Sequence, residues 1–550
     1  MTPLQMPLPL SHDPAPSPLR RLLTLLSLER NDLWAAAVFS LAIGVLTLAV
    51  PVASQALVNT IAFGALMQPL LYLSLAVLGL LAVAAVLQII RFHAVEMLQR
   101  RVFVRLASES IHSLLHARTD VLRMQNGPEV VNRFLDIVTV QKAAATLLVD
   151  GLSVAAQTIA GMILLGLYHP WLLAFDAVLG VCLVLVIFPA GAGAVKSAIK
   201  ESKAKYALVG WLEETARNAT TFRGEAEAAF ARERCDSLVR DYLGYRARHF
   251  RVLLRQFAGS LFLQAAASAT LLSVGGMLVI ERQLTLGQLV AAELVVTAVV
   301  AGISKLAKHM ETFYDLLASL DKLGTLTGIP AEATGGEPAA GGGPARIRVR
   351  GPRYSFEIPA GAKVGVYGLS GSGKSTLLDA ICGYRELAGV AVSWDDADIR
   401  GLRLATLRSS MALVRGVEIF HGTVLDNVRV GRSIPVADVE RALDAAGVGS
   451  AIRGLEEGPR TVLATGGAPL SEGQKLALMI ARAIVGRPRL LIVDETLDAI
   501  SDSGERELLT SLLFDPGAPW TLILVTSRQE LLDRCERVIH VTRDGVMEAA

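Results

Sequence analysis

The chain has 550 residues, of which 52% are hydrophobic and only 19% charged, with a mean hydropathy of +0.47 and a net charge of +2. That length admits several domains, and that apolarity excludes both a wholly soluble enzyme and a polar disordered chain. So small a net charge gives no ground for a nucleic-acid partner.

The average conceals two halves, one of long apolar runs alternating with charged stretches up to about residue 310, and one beyond residue 345 that reads as an ordinary α/β domain. At the N-terminus, Pro3, Pro7, Pro9, Pro14, Pro16 and Pro18 interrupt the chain, and no charged start precedes a short apolar core, so no cleavable signal is expected. Leu19 to Glu29 has the pattern of an amphipathic helix lying on a membrane surface, and residues 1–31 are expected to stay cytoplasmic.

Six apolar runs follow, near Trp34–Leu57, Leu70–Ile90, Ala143–Leu167, Trp171–Ala190, Phe257–Ile280 and Gln288–Leu306. Each is close to the roughly twenty residues that a bilayer core demands. The turns Asn59–Gln68 and Tyr168–Pro170 carry no Lys or Arg, and Glu281–Gly287 carries only Arg282, whereas Arg91–Lys142 and Lys196–Arg255 are rich in both. This asymmetry places both termini in the cytosol. The two basic stretches keep helical periodicity and read as extensions of the membrane helices, with tips near Arg123–Glu129 and Gly210–Arg217.

Asp150, Asp176 and Glu293 fall in or near apolar runs. Either they line a substrate path, or they sit at interfacial depth and are neutralised by bonds between helices. Cys182, Cys235, Cys382 and Cys535 show neither metal spacing nor pairing, as suits a reducing cytosol, and the nine histidines form no metal-binding cluster.

Residues 331–345, AEATGGEPAAGGGPA, read as a flexible linker between a membrane domain at 32–330 and a second domain at 346–550. In that second domain the run Gly368-Leu369-Ser370-Gly371-Ser372-Gly373-Lys374-Ser375-Thr376 is a full GxxxxGK[ST] loop. Its backbone N–H groups can curl around a triphosphate, Lys374 adds a charge against the β- and γ-phosphates, and Ser375 offers its hydroxyl to Mg²⁺. The context agrees, with Lys363–Tyr367 patterned as a buried strand and Lys374–Tyr384 as a helix. The expected fold is therefore an all-α six-helix transmembrane domain followed by an α/β P-loop nucleotide-binding domain.

Farther on, Leu470-Ser471-Glu472-Gly473-Gln474 opens a helix that Ser471 can cap, and Arg489–Glu495 is an apolar strand ending in Asp494 and Glu495. About six spans, two long cytoplasmic helical loops and one C-terminal P-loop domain resemble a half-size ATP-binding cassette (ABC) exporter over nearly the whole chain. The resemblance implies that Asp494 holds Mg²⁺ and that Glu495 polarises the attacking water. It implies too that LSEGQ is the signature, with Ser471, Gly473 and Gln474 facing the γ-phosphate of a nucleotide held by another cassette. Glu472 replaces a glycine there, and its carboxylate must point away or weaken closure.

Other positions depart from the family pattern. Beside the segment Val417–Thr423, Arg415 stands where a glutamine contacts Mg²⁺ and water. Ser527 in TLILVTSR replaces the switch histidine, and Ser501 replaces the D-loop aspartate, with Asp502 next to it. Arginine accepts no hydrogen bond and serine lacks a histidine's reach, so the loop keeps phosphate binding while its hydrolysis slows. The alternative is that Arg415 clamps phosphate and Glu495 alone sustains a slow reaction. Tyr354, next to a shortened segment after Arg346–Gly351, reads as a sheet residue rather than a base-stacking one.

The resemblance implies an ATP- and Mg²⁺-dependent subunit of the bacterial inner membrane that works as a dimer, with a second half-transporter favoured over a second copy. The wording VEIFHGTV is similar to peptide- and protein-secretion subunits that work with a periplasmic adaptor. No cysteine-protease domain precedes the membrane segment, so cleavage of a leader peptide within this chain is not expected. A regulatory membrane protein that binds nucleotide without pumping shares the same motifs and is the alternative.

Overall fold

The structure, a computed structural model, describes residues 17–62, 67–124, 131–339, 341–542 and 545–549. The prolines before residue 17, part of the Asn59–Gln68 turn and most of the Arg123–Glu129 tip lie outside the described residues. The chain divides into two compact units, one holding the residues up to Ala117 with Val121–Pro330, the other holding Arg118–Asp120 with Ala331–Ala550.

The first unit is helical. Pro18–Leu28 forms the expected N-terminal helix, capped by Ser17. Its Leu22 and Leu25 pack on the cluster of Leu106, Ile137, Leu316 and Leu320, and Arg21 donates to Leu320 O and Gly324 O at 3.1 Å each. The first apolar run is two helices, Arg30–Thr47 and Ala49–Ala62, and Pro51 lacks the N–H that would continue one helix through the join. Met67–His116 runs unbroken for 50 residues and Glu225–Ile280 for 56. At 1.5 Å per residue these helices are about 75 and 84 Å long, well beyond a hydrocarbon core of about 30 Å. The second basic stretch turns at Asn218–Gly224, just past the expected tip, because the helix Ala194–Arg217 ends there and Glu225 starts the next.

The run Asp136–Tyr168 carries a π-helical turn at Leu147–Gly151, Pro170 starts the helix to Ile187, and Leu286–Thr327 begins on a capping box between Thr285 and Gln288. Among the described residues five helices are long and apolar enough to cross a membrane, and Leu286–Val299 is a shorter apolar stretch. Their outer faces carry exposed apolar side chains such as Leu71, Ile89, Val178 and Phe262, as a lipid-facing surface requires.

The second unit is built on a six-stranded sheet in the order Gly545–Ala549, Arg537–Thr542, Lys363–Tyr367, Thr521–Val525, Leu490–Asp494 and Met411–Val414, parallel except for the first strand. Thr521–Val525 and Leu490–Asp494 are buried at every position, which is why they read as continuous apolar runs. A second, antiparallel sheet joins Ser355–Ile358, Ile347–Arg350, Ala391–Trp394 and Ala397–Asp398. Ile492 is 0% exposed in the central strand, so Ile492→Ala is expected to lower the stability of this unit by about 2–5 kcal/mol in denaturant unfolding.

The helix after the loop is Lys374–Ile381, shorter than the expected Lys374–Tyr384. Gly383 adopts φ +65°, and Tyr384 N turns back to Asp379 O at 2.8 Å, which closes the helix with a left-handed cap. The stretch 331–345 is strung along the same unit. Glu337 N donates to Gly401 O at 2.9 Å, Arg403 N to Glu337 O at 2.7 Å, and Ala345 N to Arg489 O at 3.0 Å.

Candidate functional site

The site grows from the carboxyl end of Lys363–Tyr367, a strand flanked on both sides by parallel neighbours. In such sheets ligands sit where the strands end and helices begin. Gly368 must be glycine because a Cβ there would lie 2.2 Å from Val541 O, and Gly373 takes φ +102° immediately before the helix. Lys374 Nζ donates to Gly368 O at 2.8 Å and Leu369 O at 3.4 Å, folding its charge over the loop. Ser372 Oγ is buried without a hydrogen-bond partner among the described residues. A helix N-terminus, a lysine and a spare hydroxyl are the groups that a triphosphate would satisfy.

Glu495 lies beside this loop. It follows directly on the buried Asp494, has φ +52°, and places Oε1 3.5 Å from Lys374 Nζ with its side chain 60% exposed. The carboxylate expected to polarise water therefore sits next to the loop lysine.

Arg415 is the largest departure. It follows the strand Met411–Val414, whose parallel register sets Val414 against Val493, so the next residue on each strand, Arg415 and Asp494, are brought together. Arg415 Nε donates to Asp494 Oδ2 at 2.6 Å, Nη1 to Asp379 Oδ1 at 2.8 Å and Nη2 to Ser375 O at 3.4 Å. Burial disfavours its charge, yet the bonds to Asp379 and Asp494 outweigh burial and hold its pKa above the ordinary arginine value. Arg415 thus links the Asp494 carboxylate, expected to hold Mg²⁺, to the backbone carbonyl of Ser375, and a guanidinium already sits on that carboxylate. Mg²⁺ needs oxygen ligands and arginine has only donors, so this donor set does not fit the ion as the side chains stand.

Ser527 is exposed, with its N–H and Oγ both donating to Asp498 Oδ2, at 2.8 and 2.9 Å. Thr526 Oγ1 bonds the same carboxylate, and Arg528 Nη2 donates to Asp498 O at 3.3 Å. Ser501 is exposed, and the neighbouring Asp502 caps the helix Ser503–Leu513 by accepting from Glu505 N at 2.7 Å. Asp379 and Asp498 are not among the residues expected at the site. For Asp379 a signal existed, since it stands four residues after Ser375 on a helix and so shares its face.

Ser471 caps the helix Glu472–Ile484 in a reciprocal capping box with Gln474, whose Oε1 accepts from Ser471 N at 2.9 Å. Glu472 points away from the helix axis into solvent, 79% exposed and 2.7 Å from Lys475 Nζ. Gly473 lies beside the carboxylate of the exposed Glu505, whose Oε2 would lie 2.6 Å from a Cβ and can swing aside. Tyr354 stands just before the strand Ser355–Ile358 rather than in it, packs half-buried on the core cluster, and its hydroxyl approaches the space beside Gly373. In the helical unit Asp150 and Glu293 are exposed, while Asp176 is 2% exposed and neither of its carboxylate oxygens has a hydrogen-bond partner among the described residues.

Residues 33–301 match the family model described as the ABC transporter transmembrane region, and residues 352–498 match the model described as ABC transporter. The chain is 28% identical over 411 residues to the mycobactin import ATP-binding/permease protein IrtB of Mycolicibacterium thermoresistibile, covering 68% of this chain and 70% of that one. It is 25% identical over 561 residues to an ATP-dependent lipid A-core flippase of Burkholderia orbicola, covering 92% and 90%. With the alpha-hemolysin translocation ATP-binding protein HlyB of Proteus vulgaris it shares 28% identity over 327 residues, 56% of this chain and 46% of that protein. In fold it is similar to a bacterial Atm1-family ABC exporter solved with ATP bound, at a TM-score of 0.80 over 94% of each chain and 20% identity.

Proposed function

Because this chain belongs to the ABC transporter family, with a transmembrane region and an ATP-binding cassette fused in one polypeptide, we propose that it is an exporter half-transporter whose own ATP site turns over slowly. The observation that carries the slow site is the Arg415 contact with Asp494 and Asp379, joined by Ser527 bonding to Asp498. Phosphate binding is supported by the loop, Lys374 and the spare Ser372 hydroxyl. The groups that would sense a γ-phosphate are engaged elsewhere.

One cassette leaves its signature without a nucleotide to face, so the working unit is a dimer. A heterodimer suits a chain whose Ser471, Gly473 and Gln474 are well formed while its own loop site is altered. The partner would then supply the faster site. Relatives named for mycobactin import, lipid A-core flipping and alpha-hemolysin translocation span several cargo chemistries. A peptide or protein cargo, with a periplasmic adaptor, is supported by the VEIFHGTV segment and the likeness to HlyB.

The Lys and Arg distribution supports a topology with both termini cytosolic, in a bacterial inner membrane as for the ABC relatives this chain resembles. His169 sits in the tight turn between Tyr168 and Pro170, and Asn218 caps the far end of Ala194–Arg217. With the four native cysteines replaced, a single cysteine at His169 is expected to react with an impermeant reagent on intact cells, and one at Asn218 is not. Labelling at Asn218 but not at His169 would invert the topology.

The test of the proposed activity is ATP turnover in lipid vesicles, by the purified chain alone and with its partner. A low rate alone, raised on pairing, is the expected result. Nucleotide binding without turnover in either state would instead favour a regulatory membrane protein.

A further inference from the structure

We propose that the nucleotide site of this chain is metal-independent, with the guanidinium of Arg415 standing where the loop's divalent cation would be held. The inference rests on the P-loop being a nucleotide site, as proposed above, and concerns what neutralises the phosphates there.

In a P-loop site the cation has a fixed place. It is held by the hydroxyl of the residue after the loop lysine and by a carboxylate at the end of a neighbouring strand, and it bridges β- and γ-phosphate oxygens. Here those groups are Ser375 and Asp494. Arg415 reaches the Asp494 carboxylate from the neighbouring strand, and three contacts fix it there, to Asp494 Oδ2, Asp379 Oδ1 and the backbone carbonyl of Ser375.

This is not a surface arginine that swings in by chance. The pairing of Met411–Val414 with Leu490–Asp494 sets the two residues side by side, and Gly416 at φ +71° turns the chain away immediately afterwards. The side chains of Arg415 and Asp494 are only 23% and 5% exposed, so the pair is shielded from water and held in one geometry.

A divalent cation entering here would meet Asp494 with Oδ2 already taken by a competing donor, and a like charge at short range. A guanidinium does part of the same work. It carries a permanent positive charge, and its planar fork has N–H donors beyond those used by the two carboxylates, which suit phosphate oxygens. It cannot ligate or orient water as a hydrated cation does. Nucleotide retention without fast hydrolysis follows from that difference, and it gives the slow site a chemical cause.

The test compares binding of a fluorescent ATP analogue to the full-length chain in lipid nanodiscs, at matched ionic strength, with excess Mg²⁺ or with EDTA. The native chain is expected to change its Kd by less than about threefold between the two, and Arg415→Gln, which restores a metal-compatible amide, is expected to lose on the order of tenfold in EDTA. Arg415→Lys keeps the charge and should stay insensitive to EDTA. Since removing a buried arginine can harm folding, Mn²⁺ resonance on the native chain gives a second reading. In the presence of ATP it should show no protein-immobilised Mn²⁺. A tenfold or larger loss of affinity by the native chain in EDTA, or an immobilised Mn²⁺ signal, overturns the inference while leaving the nucleotide site in place. Absence of binding under both conditions removes the nucleotide reading itself, and this inference with it.

Discussion

Lys374→Ala is expected to weaken binding of a fluorescent ATP analogue by on the order of a hundredfold while the protein still inserts and folds. Among the described residues Lys374 Nζ bonds Gly368 O and Leu369 O and lies 3.5 Å from Glu495, so its removal costs the folded chain little. Those contacts are ones a triphosphate would take over. Lysine is a point charge on a flexible stem, and a swing from the loop carbonyls to phosphate oxygens needs no backbone change. A folded Lys374→Ala chain that binds the analogue as tightly as the native one would remove the loop from the nucleotide site.

The second large effect separates the two ends of the cassette. The chain alone is expected to hydrolyse ATP slowly, and Glu495→Gln should alter that rate by less than about twofold, because the step it would assist is already limited by Arg415 and Ser527. Ser471→Arg acts elsewhere. It breaks the capping box with Gln474 and sets a bulky cation at the helix N-terminus that would receive the partner's nucleotide. In the reconstituted pair it should remove most turnover, on the order of a hundredfold, while Glu495→Gln spares it. Brisk hydrolysis by this chain alone, lost on Glu495→Gln, would mean instead that Arg415 and Ser527 are tolerated and that two copies suffice.

Much of the fold was legible because its signals are local. A run of about twenty apolar residues can do little but span or bury, and GLSGSGKST between a buried strand and a helix has few other meanings. The cap at Ser471 was readable for the same reason, since a capping box is written in four consecutive residues. What stayed hidden depends on contacts between distant segments. Arg415 could be read as the loss of a glutamine, but not as the partner of Asp494, because that pairing follows from strand register across 79 residues of sequence. Asp498 was hidden likewise: its carboxylate meets Ser527 only because Thr521–Val525 lies beside Leu490–Asp494. The helix end at Ile381 is concealed because Cys382 and Tyr384 continue the apolar pattern, and only the left-handed Gly383 interrupts it.

The segment 331–345 has a practical consequence for anyone preparing the cassette as a soluble fragment. A cut at Arg346, where its composition invites one, would strip Glu337 from its exchange with Gly401 and Arg403, Ala339 from Thr406, and Glu332 from its bidentate grip on Arg408. The face left behind would be a raw edge prone to self-association. A fragment begun at Ala331 carries its own selvedge and should remain monodisperse at concentrations where the shorter one precipitates.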